Sequence, residues 1–348
     1  MSRPAEYPWL SYQPIRLFYT LSRFGLIIAH LPYWTLVSLI PACRPIRSWT
    51  FRQAYMNSLG EALTYVLSRV RILEDLSFEA GSKGDRWQVL EPFEEHFYTG
   101  PLNSPNIQPA KVGGTWYPSK PATEDLKGCL QSIIVHIHGG AFVMGNGRTA
   151  HSGFLARTLV EHAQADADTL TSYLYMVRDL GISPNRIVLS GDSAGANLAI
   201  ALLRYIEEFG SELGLSEARP SCAVSISPWS PHWKTDYLPV LFLRRGATTY
   251  GGKRLKEDPH ATAIGNPYKT SVPIFVGMGQ GGVLQDEGAR WAREMQAIDG
   301  NHTQVEYEEN ATHDTLLMGA MLAWEESAQK VATNIGQFIG KHQSGLNI

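Results

Sequence analysis

The sequence predicts an α/β protein, with a mostly parallel sheet flanked by helices and an apolar helical segment in front of it. Three observations carry this. From about residue 86 onward, short apolar runs alternate with helical patterns, and alternation of this kind buries a parallel sheet between helix layers. Two of the apolar runs break into glycine turns, at Gly139-Gly140 and at Gly191. The first third differs: from Phe24 to Ala42 the chain runs 19 residues without Asp, Glu, Lys or Arg.

The division expected from this is an N-terminal apolar cap or membrane-associated segment over residues 1–80 and an α/β domain over 81–345. The uncharged run has about the length of a bilayer span. His30, Pro32 and Pro41 interrupt it, and arginines flank both sides (Arg16 and Arg23, Arg44 and Arg47), so charge sets no orientation. No small-residue cleavage site closes the run, and no removable signal peptide is predicted. Two readings stay open: a true span, or helices over residues 8–75 that cover the functional face or lie on a membrane surface. Trp9, Tyr12, Phe18, Tyr19, Tyr33 and Trp34 favour the second, because amphipathic rings settle at such boundaries. The localisation expected is intracellular, with membrane association through residues 8–45.

Within the domain, strands are predicted at 86–90 and 113–117, bounded by Gly and Pro, and at Ser132–His138. Helices follow at about 153–163 and 167–180, the second ending before Gly181 and Pro184. Ile187-Val188-Leu189 begins the next strand, which turns at Gly191 into a helix from about Ala194 to Phe209. Further strands are expected at 222–227, 273–277 and 304–308, with helices near 286–297 and 322–340. No internal repeat or low-complexity tract is present. A net charge of −3 supplies no basic stripe, so nucleic acid is not an expected partner. Cys43, Cys129 and Cys222 are too few and too widely spaced for a disulfide framework or a zinc site. They read as reduced, buried thiols, and no metal or cofactor is expected.

The chemistry lies in the turns. Gly191-Asp192-Ser193-Ala194-Gly195 stands between an apolar strand and an apolar helix, the context of a nucleophile elbow. Side chains two places either side of Ser193 would collide with the neighbouring strand and helix, so glycine is needed at both. The turn presents the Ser193 hydroxyl and puts the Ala194 amide at a helix N-terminus, ready to stabilise an oxyanion. His138-Gly139-Gly140-Ala141-Phe142 directly follows a strand, and the Gly139 and Gly140 amides are read as the other side of that oxyanion hole. His313, in the loop after the last strand and before a helix, is the expected general base, last in chain order.

Together, the His138-Gly139-Gly140-Ala141 and Gly191-Asp192-Ser193-Ala194-Gly195 segments resemble the hormone-sensitive-lipase-like branch of α/β-hydrolases. Gly113–Pro118 and His313-Asp314-Thr315-Leu316-Leu317 look like its fungal members. The resemblance covers roughly residues 85–340. It implies the α/β-hydrolase fold, carboxylesterase chemistry on an acyl ester and no metal or cofactor. It also hints at a tailoring step in fungal secondary metabolism.

Two departures stand out. The resemblance calls for an Asp or Glu two residues before a leucine in the loop Gly279–Glu287, and that position is Gly282. Asp286, four residues later, is the expected substitute acid. Between the helices at 153–163 and 167–180 only Ala163–Ala167 intervene, where relatives place a central strand. The sheet is therefore expected to lack an interior member, either in a shortened protein or through a mis-assembled coding sequence. The leading functional reading is a serine esterase acting on a hydrophobic small-molecule ester. Its acyl pocket would be lined by the N-terminus and by Trp229, Trp233, Tyr237, Leu241 and Phe242. The alternatives are a catalytically impaired pseudo-enzyme that keeps the pocket, and a membrane-associated binding protein.

Overall fold

The structure is a computed structural model and describes residues 9–70, 77–103, 109–122, 132–142, 144–162, 170–215, 219–229 and 258–343. Five strands form one parallel sheet in sequence order: β3 (Ile133–Ile137), β4 (Ile187–Asp192), β5 (Cys222–Ile226), β6 (Ile274–Gly279) and β7 (Thr303–Glu308). Successive side chains of a strand face opposite sides of a sheet, so each strand feeds two cores. On one face Val135, Ile137, Ile187, Leu189, Ala223, Ile274, Val276 and Met278 form a core. Helix α5 (Ser193–Phe209) packs there through Leu202, Leu203 and Ile206, and helix α6 (Gln285–Gln296) through Trp291, Ala292 and Met295. On the other face Ile134, Val188, Cys222, Val224, Ile226 and Phe275 meet α3 (Thr149–His162) and α8 (Glu325–Gln343). Burial on both faces explains why these strands read as continuous apolar runs without alternation.

Strands β1 (Trp87–Leu90) and β2 (Val112–Thr115) pair antiparallel as a separate sheet, with no ladder to the main one. All of residues 163–169, between α3 and α4 (Leu170–Leu174), lie outside the described residues, and the expected loss of an interior strand falls on them. Helix α4 continues into a five-residue π-helical stretch, Tyr175–Asp179.

The N-terminal region holds two long helices, α1 (Ile15–Leu39) and α2 (Phe51–Arg69). A reciprocal capping box between Thr50 and Gln53 starts α2 by satisfying otherwise orphaned amides. No described helix is long and apolar enough to cross a membrane. Cys222 is buried as expected, but Cys43 is exposed in a short 3₁₀ turn after α1, which corrects the reading of buried thiols throughout; Cys129 lies outside the described residues.

Candidate active site

Strand β4 carries Asp192 to its end, and the chain turns through Ser193 into α5 with a Ser193 φ of 50°. That left-handed conformation is costly for a non-glycine residue and persists only where packing on both sides imposes it. A Cβ on Gly191 would lie 2.4 Å from the Gly195 carbonyl oxygen, and one on Gly195 would lie 2.0 Å from that of Ile137 in β3. Both flanking positions admit only glycine, as the pattern of the turn predicted.

His313 Nε2 and Ser193 Oγ are 3.0 Å apart, although 120 residues separate them in sequence. The distance suits proton transfer from the hydroxyl to the ring. Burial lowers the His313 pKa to about 4, with the charge of Asp192 acting in the opposite direction, so the ring is neutral near pH 7 and can accept a proton.

The oxyanion side needs one correction. The Gly139 N–H donates to Asp192 Oδ1 at 2.9 Å, so this amide is engaged and is not a free donor. Among the described residues, the Gly140 and Ala141 amides record no acceptor. The chain bends there through positive φ at Gly140 (115°), Ala141 (54°) and Phe142 (58°). The Ala194 amide stands in the first turn of α5, where helical N–H groups have no internal partner. Ala141, Ala194, Trp229 and Leu284 form a small apolar cluster at this corner, with the Phe142 and Trp229 ring centroids 5.3 Å apart. Trp233, Tyr237, Leu241 and Phe242, expected in the acyl pocket, lie outside the described residues.

The acid is where expectation and geometry part. Gly282 does lie against the histidine, since a Cβ there would sit 3.3 Å from His313 Cα and 3.4 Å from its N. The position faces the base but carries no carboxylate. Asp286 does not replace it: it is exposed in the first turn of α6 and records no hydrogen bond to His313. Four further residues carry the chain into the helix and turn Asp286 outward. Glu287 is pushed up to about 7 by burial and then by Asp286, and among the described residues it makes no hydrogen bond to His313 either.

Two buried carboxylates that sequence reasoning left unassigned adjoin the pair in sequence. Asp192, completely buried, accepts from His136 Nε2 at 2.9 Å in addition to the Gly139 amide. Asp314, 1 % exposed, caps α7 (Thr315–Leu322) by accepting from the Leu317 amide, and its own N–H donates to Ser227 Oγ. The two side chains are within hydrogen-bonding reach of each other, and each leaves its Oδ2 without another donor. Burial raises Asp192, but the hydrogen bond and charge of His136 outweigh it and bring it to about 2; burial and then Asp192 push Asp314 strongly upward. The available signal was adjacency in sequence, Asp192 before the serine and Asp314 after the histidine.

Trp49, just before α2, is tied to the loop that carries the histidine, and Gln53 in the first turn of α2 to the C-cap of α7. Trp49 Nε1 donates to the Asn310 carbonyl at 2.7 Å, and Gln53 Nε2 to the Ala323 carbonyl at 3.1 Å.

Residues 162–317 match a protein family described as alpha/beta hydrolase fold. An acetyl-hydrolase of Streptomyces hygroscopicus is 27% identical over 216 residues, covering 55% of this chain and 68% of that protein. An esterase of Acinetobacter venetianus is 26% identical over 48% of this chain and 62% of its own length. Esterase LipU of Mycobacterium tuberculosis is 35% identical over 27% of this chain and 35% of its own length. Among solved structures, an esterase/lipase from an uncultured bacterium aligns over 83% of this chain and 98% of its own, with a TM-score of 0.55 and 19% identity. A thermostable esterase from Pseudomonas putida covers 67% of this chain and 78% of its own, with a TM-score of 0.52 and 17% identity. The chain has the α/β-hydrolase fold, and its relatives support a hydrolase of the carboxylesterase type.

Proposed function

We propose that the chain is a serine hydrolase of carboxylic esters, with Ser193 as nucleophile and His313 as general base. The observation that carries this is the 3.0 Å contact between the strained elbow serine and the histidine. Ser193 Oγ attacks the ester carbonyl carbon while its proton passes to His313 Nε2. The Gly140, Ala141 and Ala194 amides face the developing oxyanion. As the carbon–oxygen bond to the alcohol breaks, His313 returns the proton to the leaving oxygen. Water, deprotonated by His313, then releases the acid from the acyl-serine. No cofactor or metal enters these steps.

The substrate class we infer is a hydrophobic ester drawn from a lipid surface. Thirteen large apolar side chains between Trp9 and Ile40 are exposed, among them Phe18, Ile28 and Leu36. From Tyr7 to Gly60 the chain contains no Asp or Glu, while Arg16, Arg23, Arg44, Arg47 and Arg52 give it positive charge. Apolar rings with arginines and no acids complement an anionic bilayer. The contact of Trp49 with Asn310 would then hold the histidine loop near that surface. A tailoring step in fungal secondary metabolism rests only on the wording of the motifs. Gly282 favours one second reading, an impaired enzyme that binds an ester but turns it over slowly.

Purified protein assayed with short p-nitrophenyl esters and a fluorophosphonate probe tests the main reading. Ser193→Ala should abolish labelling and leave the fold intact; labelling that persists removes Ser193 from the mechanism. For the surface, the full chain should co-sediment with phosphatidylserine-containing vesicles, more weakly at high salt. No binding at low salt ends the membrane reading.

A further inference from the structure

We propose that the Asp192–Asp314 pair, sharing one proton, supplies the buried negative charge for His313 that Gly282 no longer provides. The inference rests on the serine-hydrolase reading and names the source of its missing charge.

The geometry starts from two orphaned oxygens. Asp192 Oδ2 and Asp314 Oδ2 are buried and have no donor from the rest of the protein, yet the side chains lie within hydrogen-bonding reach. Two carboxylates cannot both ionise at such a separation in a buried site, and one proton between them satisfies both oxygens. The pair then carries a single negative charge at neutral pH. Its remaining oxygens are held: Asp192 Oδ1 by His136 and the Gly139 amide, Asp314 Oδ1 by the Leu317 amide.

The pair brackets the reacting residues. Asp192 precedes Ser193 in the elbow and Asp314 follows His313, so the Ser193–His313 contact brings the two stretches of chain that carry them together. The titratable groups facing the pair are His136 from β3, His138 in the loop that follows it, His313, and Glu308 at the end of β7. Asp192 is the charge that acts on His313, and it acts to keep the ring basic. When His313 takes the Ser193 proton, the imidazolium forms beside an anion already in place, and no second charge has to be created. Asp192 and Asp314 are therefore positioning residues acting through His313, with no contact to substrate. The engaged Gly139 amide fits this role, because the same carboxylate anchors the oxyanion loop.

The test depends on charge counting. Asp314→Asn leaves Asp192 ionised; in Asp192→Asn burial still opposes ionisation of Asp314, and a shared charge requires that Asp314 nevertheless ionise once Asp192 no longer raises it. Only the double variant removes that charge. We expect the His313 ring, followed by its NMR titration and assigned with His313→Gln, to lose at least about one pH unit of basicity in the double variant. Each single variant should lose less than half of that. Ester turnover should fall by ~100-fold in the double variant, and by less than ~10-fold in either single. Identical His313 titration curves in the wild-type chain and a folded double variant overturn the proposal. If the double variant does not fold, the singles decide: a folded single that loses more than ~100-fold in kcat shows that one particular carboxylate matters, not their shared charge. If the wild-type chain shows no ester turnover but the titration shift appears, the esterase reading fails while the electrostatic coupling stands.

Discussion

The elbow at Gly191–Gly195 and the loop at Gly279–Asp286 both end strands of the same sheet, and they treat glycine in opposite ways. At the elbow, glycine is imposed by packing, since a Cβ at Gly195 would sit 2.0 Å from the Ile137 oxygen. At Gly282 a Cβ would meet the Gly279 oxygen at 2.9 Å and His313 backbone atoms at 3.3 Å and 3.4 Å, a crowding milder than at the elbow that still requires the backbone to shift. The first glycine serves the backbone; the second leaves a functional position without its functional group. Steric necessity and chemical function are thus separable within one site, and the charge of an acid can be supplied by neighbours in a way that the shape of an elbow cannot.

The largest effect should come from the base. His313→Ala should lower kcat on p-nitrophenyl esters by about four orders of magnitude, because the Ser193 proton then has no acceptor. A loss below tenfold in steady-state assays would remove the histidine from the mechanism. Next comes the elbow backbone: Gly195→Ala should destabilise the chain by about 3 kcal/mol or more, read from the urea midpoint. An unchanged midpoint would mean that the close approach of Ile137 is not real.

The acid loop should respond more weakly. Gly282→Glu should raise kcat by about tenfold through a carboxylate beside His313, while lowering stability by about 1 kcal/mol as the Gly279 carbonyl shifts. Gly282→Ala should show the stability loss alone, and equal kcat in the two variants would show that the loop cannot aim an acid. In the pH profile, kcat/KM should hold from neutral pH toward about 4 and fall below it, because burial lowers the pKa of the base and extends its neutral form toward acid. An acid limb near 6.5 would place His313 in a solvated environment. The smallest effect belongs to Asp286→Asn: an exposed residue remote from the ring should change kcat by less than about twofold.

Much of this site could be read from local pattern. Gly-x-Ser-x-Gly between an apolar strand and helix requires a sharp turn, so Ser193, Ala194 and both glycines were legible, as was a histidine in the last post-strand loop. The helix expected at 167–180 was harder, because its end winds as a π-helical stretch that periodicity does not announce. The Gly139 amide looked free in the motif, and only the distance to Asp192 shows that it is engaged. Asp286 looked near in sequence because four residues is a short count along a loop, but a helix start turns those residues outward.

By itself the sequence determined the alternation of strands and helices, the elbow, the order of serine and histidine, and the apolar, acid-free N-terminus. These follow from local rules: periodicity, glycine where backbones collide, and charge counted along the chain. The tertiary structure alone decided the 3.0 Å meeting of Ser193 and His313 across 120 residues. It also decided that the hairpin β1–β2 stands apart from the main sheet, and that two aspartates from different turns share one buried space. Proximity between distant segments depends on how the layers close over the sheet, and a carboxylate's protonation depends on what that closure leaves beside it.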